Sequence, residues 1–403
     1  MKRKINSLIL AVAFLVITSL NIIAQTKTET TPEGYKFTVV KEVKATPVKD
    51  QYRSGTCWSF STISLIESEI LRLGKGETDL SEMFIVRKAY EEKGMKYFRL
   101  HGKLNFGQGG ASQNVISMIR NYGIVPEEAY KGLNYGEKGH VHGEVDAALK
   151  AFLDAIIKDE NKTISTAWFT AYKGILDAYF GPIPEKFTYK GKEYTPQSYA
   201  KEIGINPDDY VDFTSFTHHP FYKPFALELE DNWGWDMSYN VPMDDLIAII
   251  DNSIENGYSV AWGTDVSEKG FSFKNGGVAI VPEKDKSAMD NLEMARWEKL
   301  SQKDKDKELY VFDKPGKEKI ITQEDRQREF DNYKTTDDHG LHIVGIAKDQ
   351  NGTKYYIVKN SWGESNLYNG VLYASETYIK YKTTDIMINK NAIPATIKKK
   401  LGL

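Results

Sequence analysis

The segment PVKDQYRSGTCWSF (residues 47–60) sets the interpretation of this chain, because it places the single cysteine, Cys57, at the predicted start of a helix. After it, Ile63, Ile66, Ile70 and Leu73 recur at spacings of three and four, which puts them on one helical face. Unpaired backbone N–H groups at a helix start favour a thiolate, which is the nucleophilic form of cysteine. The segment therefore predicts a reactive thiol.

The composition excludes several classes of protein. One cysteine in 403 residues allows no intrachain disulfide and no zinc site that needs two thiolates. The formal net charge of −3 argues against a chain built to coat nucleic acid, and 41% hydrophobic with 27% charged residues indicates a globular protein. The sequence contains no HExxH, phosphate-binding-loop or dinucleotide-binding motif, so it predicts no cofactor and no metal.

Two later segments offer a base and an orienting group for the thiol. These are DDHGLHIVG (residues 337–345) and YYIVKNSWG (residues 355–363), joined by a predicted hairpin turn at residues 349–352. A histidine at the start of one strand, either His339 or His342, can then face Asn360 at the end of the next, whose side-chain carbonyl fixes the imidazole tautomer. The other imidazole nitrogen faces Cys57. Gln51, six residues before Cys57, supplies an amide donor for an oxyanion hole.

Together these segments resemble the papain superfamily of cysteine peptidases. The Gln-x5-Cys-Trp-x-Phe, His-Gly-Leu-x-Ile-Val-Gly and Asn-Ser-Trp-Gly motifs occur in the family order, and residues 80–82 and 107–110 add further matches. The resemblance implies an α+β, papain-like two-domain fold. A helical N-terminal domain would carry the cysteine helix, and an antiparallel, β-barrel-like C-terminal domain would form the other wall of the active-site cleft.

The resemblance also implies the roles of individual residues. Cys57 is the nucleophile, His339 the general acid and base, Asn360 its orienting partner and Gln51 the oxyanion donor. His342 is the competing base, but the family pattern has a small residue after the histidine, which Gly340 provides for His339. The supporting and substrate-binding residues implied in the same way are Trp58, Trp362, Gly109, Gly110 and Leu403.

Within the superfamily, the chain looks like the bleomycin hydrolase or aminopeptidase C branch. It lacks other cysteines, leaves no room for a large propeptide before Cys57, and carries a long insertion. In that branch the subunits form hexamers, and an extended C-terminal arm places its terminal carboxylate in the cleft to meet the amino group of the substrate. The resemblance therefore implies an aminopeptidase, with the carboxylate of Leu403 in that role.

The expected organisation follows from these motifs. It comprises a signal peptide (1–24), a lead-in (25–45), a helical domain (46–257) with an insertion at about 131–240, a β-rich domain (258–390) with a charged helical insertion at about 283–334, and a C-terminal arm (391–403).

The N-terminus predicts export. A basic start, an uncharged apolar run and a polar segment after Ala24 form the pattern of a secretory signal peptide. Its removal takes away three cations and changes the net charge from −3 to −6. We expect the bacterial periplasm or secretion, with no stable membrane span after cleavage.

Several readings stay open from the sequence. The partners are expected to be peptides, but an open-cleft endopeptidase, an acyl transferase or a non-catalytic binding protein on the same scaffold would carry similar motifs. The paired histidines His140/His142 and His218/His219 are interpreted as surface and packing residues rather than metal ligands.

Overall fold

The computed structural model describes residues 34–158 and 163–403. The predicted signal peptide and residues 25–33 of the lead-in lie outside these residues. Within them, none of the helices is long and apolar enough to cross a membrane.

The described residues combine a layer of helices with one large sheet. Helices α1 to α12 span Cys57–Arg72, Glu82–Arg99, Ser112–Tyr122, Gly143–Ile157, Ala167–Phe180, Pro196–Glu202, Met243–Glu255, Asn291–Lys299, Gln302–Leu309, Gln323–Asp331, Glu376–Lys382 and Ala395–Leu401. Strands β1 to β13 span Thr38–Glu42, Phe187–Tyr189, Lys192–Tyr194, Tyr210–Thr214, Pro224–Ala226, Met237–Asn240, Val260–Thr264, Phe271–Ser272, Val278–Ala279, His339–Lys348, Lys354–Lys359, Val371–Ser375 and Thr383–Asn389.

Helix α1 confirms the helix predicted from the apolar spacing. Ile63, Ile66 and Ile70 are completely buried in a core that α1 shares with α2 to α5. The chain leaves the helix after Leu73 through Gly74, whose φ of +71° suits glycine. Helix α3 likewise ends at a glycine, with Gly123 as its C-cap.

The sheet corrects the expectation of a barrel-like domain. Its strand order is β5-β6-β4-β13-β7-β10-β11-β12-β9-β8, with β1 added against β10, so these strands form an open sheet with two ends, and β2 and β3 form a separate hairpin. The pairs β4·β6 and β9·β12 are parallel, and the sheet is mixed rather than purely antiparallel. Strands from the insertion extend the sheet sideways instead of letting it close on itself.

The two faces of the sheet receive different helices. Ala261 and Met387 pack into the helical core, whereas the alternating residues Trp262, Leu341 and Ile386 pack on the opposite face together with α7. Strand β4 and helix α7 therefore belong with the sheet, although they were expected in the helical domain that ends at residue 257. These residues bury their apolar side chains against the sheet, and residues 34–403 form one compact unit.

The C-terminal arm is helical, which corrects the expectation of an extended segment. Ile393 and Ile397 are buried in the α7 core, and Asn252 Nδ2 on α7 donates to the Ala392 carbonyl at 2.7 Å. Lys400 on α12 reaches Asp245, also on α7, at 3.2 Å. The arm thus packs on the face of the sheet that is turned away from α1.

Candidate active site

Cys57 is the first residue of α1, and α1 packs directly on β10. The contact falls on Gly340, where an added side chain would come within 2.8 Å of Ser61 Oγ and 3.3 Å of the Cys57 carbonyl carbon. The helix start and the first residues of β10 can approach this closely because residue 340 has no side chain. Cys57 keeps some exposure to solvent at this junction.

The environment of the thiol differs from the sequence-based expectation. The pKa of Cys57 is raised to about 12, mainly by burial and in addition by the charges of Asp337 and Asp231. The backbone N–H groups of Gly340 and Trp58 act in the opposite direction but do not outweigh burial. The resting group is therefore a neutral thiol, and the helix start alone does not make it a thiolate.

His339 and Asn360 lie side by side, as the hairpin predicted. His339 Nε2 donates a hydrogen bond to Asn360 Oδ1 at 2.7 Å, which leaves Nδ1 as the free acceptor of a neutral imidazole. The indole of Trp362 stacks on the imidazole with ring centroids 4.5 Å apart. Burial lowers the pKa of His339 to about 4. The imidazole can therefore accept a proton from a neutral thiol.

His342, the competing base, lies in a separate polar cluster. It is 1% exposed, and its Nδ1 lies 2.8 Å from Ser64 Oγ, which also accepts a hydrogen bond from Lys359 Nζ. Burial lowers the pKa of His342 well below its usual value. Its hydrogen-bond partner is thus a side chain on the buried part of α1, three residues beyond the contact between Ser61 and Gly340.

Gln51 is fixed on both sides of its amide. Its Nε2 donates to the Ser54 carbonyl at 2.6 Å, and its Oε1 accepts from Ser361 Oγ at 2.6 Å. An amide nitrogen has two N–H groups, so one donor is left for a substrate oxygen. Ser361, next to Asn360, was not singled out from the sequence, and its place in the Asn-Ser-Trp-Gly motif was the available signal.

The glycine segment expected to line the cleft lies beside the tryptophan that follows the cysteine. Trp58 Nε1 donates to the Gln108 carbonyl at 3.0 Å, and an added side chain at Gly110 would come within 2.8 Å of the Trp58 ring. A side chain at Gly109 would overlap the carboxylate of Asp231. Gly109 and Gly110 therefore lie close to the thiol, with an acidic residue of the insertion against them.

Leu403 does not join this group. It follows α12, its backbone nitrogen donates to the Lys398 carbonyl at 3.1 Å, and α12 packs against α7 on the other face of the sheet. The prediction that its carboxylate enters the cleft is wrong in this structure, because burial of Ile393 and Ile397 holds the arm elsewhere.

Sequence reasoning missed three acidic residues at this site, which are Asp231, Asp337 and Asp385. Asp337 was visible two positions before His339, but nothing in its local pattern distinguished it from the other acids. Asp231 and Asp385 reach the site only through the insertion and through strand β13, so the linear sequence contained no signal for them.

One group of side chains in the described residues has the composition of a metal site. The ligand atoms of His218, His219 and Glu228 all lie within 4.8 Å of one another. However, Gln327 Nε2 donates to His218 Nδ1 at 3.0 Å, which places the imidazole proton on Nε2, where Glu228 accepts it at 3.1 Å. A metal at Nε2 would need the opposite tautomer, so this arrangement favours the hydrogen-bonded packing role.

The other histidine pair corrects the expectation of a surface site. His142 is completely buried, and its ring packs edge-on against Phe180 with centroids 5.1 Å apart.

Comparison with protein-family models gives two matches. The model for papain family cysteine proteases matches residues 32–177, and the model for the Peptidase C1-like family matches residues 293–402. The first range includes Cys57 and the glycine segment, and the second includes His339 and Asn360.

Individual proteins are similar over most of the chain. Aminopeptidase C of Lactobacillus delbrueckii subsp. lactis is 23% identical, covering 89% of this chain and 82% of the relative. Cysteine proteinase 1, mitochondrial, of Saccharomyces cerevisiae is 21% identical, covering 90% and 79%. Among solved structures, PepW from Lactobacillus rhamnosis HN001 superposes with a TM-score of 0.68 at 20% identity, covering 91% and 84% of the two chains. This last similarity supports the fold.

Proposed function

We propose that this chain is a cysteine aminopeptidase that removes N-terminal residues from peptides. It belongs to the papain-like cysteine peptidases, in the branch that includes aminopeptidase C. The observation that carries the proposal is the 2.7 Å hydrogen bond from His339 to Asn360, on the strand whose Gly340 contacts the backbone of Cys57. The names of the relatives, among them aminopeptidases C and E, support the choice of substrate class.

The proposed reaction begins from a neutral pair. The Cys57 sulfur attacks the carbonyl carbon of the scissile bond while its proton moves to His339 Nδ1, so the two charges form together. Asn360 holds the imidazole through Nε2, and Gln51 Nε2 with the Cys57 backbone N–H receives the oxyanion. The imidazolium then protonates the leaving amine, and water, deprotonated by the same imidazole, hydrolyses the acyl-enzyme.

Hydrolysis of aminoacyl-arylamides tests this assignment. We expect Cys57→Ala and His339→Ala to lose nearly all activity, whereas His101→Asn, which changes an exposed histidine, retains it. Because Cys57 is the only cysteine, iodoacetamide labels it uniquely, and prior labelling should abolish activity. Unchanged hydrolysis by Cys57→Ala would refute the proposal, and faster hydrolysis of N-blocked internal bonds would favour the endopeptidase alternative.

We also propose that the protein is exported through the signal peptide at residues 1–24. N-terminal sequencing of protein from the periplasm or medium should begin after Ala24. A first residue of Met1 on the mature protein would contradict this proposal.

A further inference from the structure

The position of the C-terminal arm leaves open which group binds the amino terminus of the substrate, and the answer inferred below rests on the proposed function. An aminopeptidase needs an anion near the thiol to hold the α-ammonium group of its substrate. The chain's terminal carboxylate is on the far face of the sheet, beyond α12. The anion must therefore come from another part of the protein.

Asp231 lies where such an anion is needed. It belongs to the loop between β5 and β6 and places its carboxylate against Gly109, so closely that Gly109 has no space for a side chain. Gly110, the next residue, packs on the ring of Trp58, which follows Cys57. The insertion thus puts a carboxylate at the glycine wall of the cleft, next to the thiol.

Asp337 approaches the thiol from the other wall, two residues before His339. The charges of Asp337 and Asp231 are the two that raise the pKa of Cys57, so both acids act on the thiol directly. Asp231 and Asp385 in turn raise the pKa of Asp337, after the larger effect of burial. Asp337 therefore feels the charges of both other carboxylates.

A third carboxylate, that of Asp385, lies two strands away from Gly340 in the sheet. Asp385 pairs with Gly263, which pairs with Gly340, the residue in contact with Cys57. The Asp385 carboxylate leans over Gly263, where a side chain would overlap it. Gly263 and Gly340 add no side chains to the surface of the sheet between Asp385 and the thiol.

Asp231 and Asp337 form no ion pair with any of the described residues. Asp231 and Asp337 receive no hydrogen bond from any described residue, in contrast to Asp338, whose Oδ2 accepts from the Ser267 backbone at 3.0 Å. Lys93, the cation whose charge acts on Asp231, is occupied by the Gly107 and Gly109 carbonyls at 2.8 and 2.5 Å.

A buried carboxyl without a hydrogen-bond partner among the described residues lies beside this group. Asp212 is 4% exposed, and neither of its oxygens has a hydrogen-bond partner in the described residues. On the neighbouring strand it pairs with Met387, two residues after Asp385, and the charge of Asp385 acts on it. Arg326, whose charge acts on Asp385, donates its Nε hydrogen bond to the Ser215 carbonyl at 2.7 Å.

We propose that Asp231 and Asp337, with Asp385 behind them, bind the α-ammonium group of unblocked peptides, and so determine aminopeptidase specificity in place of the chain's C-terminus. The loop of Asp231 also closes this end of the cleft against the glycine segment. A substrate with a free amino group is held there by charge, whereas an acylated amine brings no positive charge to offset the crowded carboxylates.

The test compares kcat/KM for matched aminoacyl-arylamides with free and N-acetylated amino groups. We expect Asp231→Asn, which keeps the shape and removes the charge, to lower the ratio of free to acetylated substrate by about 10-fold to 100-fold, mainly through KM. Asp337→Asn is a second variant with the same expectation. Glu230→Gln, an exposed neighbour, is the control and should keep the wild-type ratio.

A chain that ends at Leu401 separates this mechanism from recognition by the C-terminus, and we expect it to keep the ratio. The inference is overturned if Asp231→Asn and Asp337→Asn both keep the wild-type ratio, or if the shortened chain loses it. A wild-type circular dichroism spectrum and midpoint of urea unfolding check that each variant is folded. Failure of the proposed function gives a different result, because Cys57→Ala would then hydrolyse both substrates as the wild type does.

Discussion

Lys49 is a cation placed between buried acids behind the active site, and its removal gives the sharpest stability prediction. Its Nζ lies 3.0 Å from Glu67 on α1, 2.7 Å from Glu82 on α2 and 2.6 Å from the exposed Asp79. The side chains of Glu67 and Glu82 are 1% and 5% exposed. Lys49 therefore neutralises two carboxylates that water scarcely reaches.

Lys49→Met leaves these two carboxylates facing each other. Removing one partner of a buried ion pair costs about 3–5 kcal/mol, because the remaining charge is uncompensated. Both carboxylate oxygens lie within 3.0 Å of the same nitrogen, so they are at most about 6 Å apart. Their repulsion at an effective dielectric constant of about 20 is ~3 kcal/mol, which is consistent with that range.

The loss should depend on pH in a defined direction. Burial raises the pKa of Glu82 to about 7 even with Lys49 present, and loss of the cation raises it further. A carboxyl whose folded pKa exceeds its unfolded value of about 4.3 destabilises the fold at high pH, and this cost disappears as the pH falls through the folded pKa. We expect a loss of about 3–5 kcal/mol near pH 8 and about 2 kcal/mol near pH 5.5.

Urea-induced unfolding at the two pH values measures this loss. Lys186→Met is the matched control, because its ion pair with Glu193 also spans 3.0 Å but both side chains are more than 60% exposed. The control should change the free energy of unfolding by less than about 0.5 kcal/mol. A loss below about 1 kcal/mol for Lys49→Met near pH 8, or one that does not shrink on acidification, would refute the reasoning.

Three further predictions concern the site. Trp362→Ala should lower kcat about 3-fold to 10-fold by exposing the hydrogen bond between His339 and Asn360 to water, and an unchanged kcat for an arylamide would contradict this. Because His339 must be neutral to accept the thiol proton, kcat/KM for an acetylated substrate should fall only as the pH drops through about 4, and an acid limb near pH ~6.5 would contradict it. Gly109→Ala should displace the Asp231 carboxylate and lower the preference for free amino groups, and a wild-type preference would show that the carboxylate has not moved.

Local patterns predicted the elements that carry the catalytic residues. The spacing of Ile63, Ile66 and Ile70 located α1, and the Asn-Gly turn at residues 349–352 located the β10–β11 hairpin. These predictions hold because periodicity and turn geometry depend on neighbours in the sequence. The same hairpin explains why the position of Asn360 relative to His339 could be anticipated.

Long-range packing decided what the local patterns could not. The arm at residues 391–403 has the composition of an exposed tail, yet its two isoleucines find an apolar surface on α7, and so the arm is helical and distant from the cleft. Likewise, a barrel-like domain was expected, but strands from the insertion join the sheet and leave it open. No local signal reports which surface a segment will meet.

The sequence by itself determined the chemistry available to this protein: one thiol at a helix start, with a histidine and an asparagine on a hairpin. Only the tertiary structure decided the protonation states of the thiol and the imidazole. Burial between the helices and the sheet makes the thiol and the imidazole a neutral pair. Removing a charged group from water costs more free energy than the helix N-terminus contributes to stabilising the thiolate. The carboxylates of Asp231 and Asp337 come from separate segments, and only folding brings both of them near Cys57.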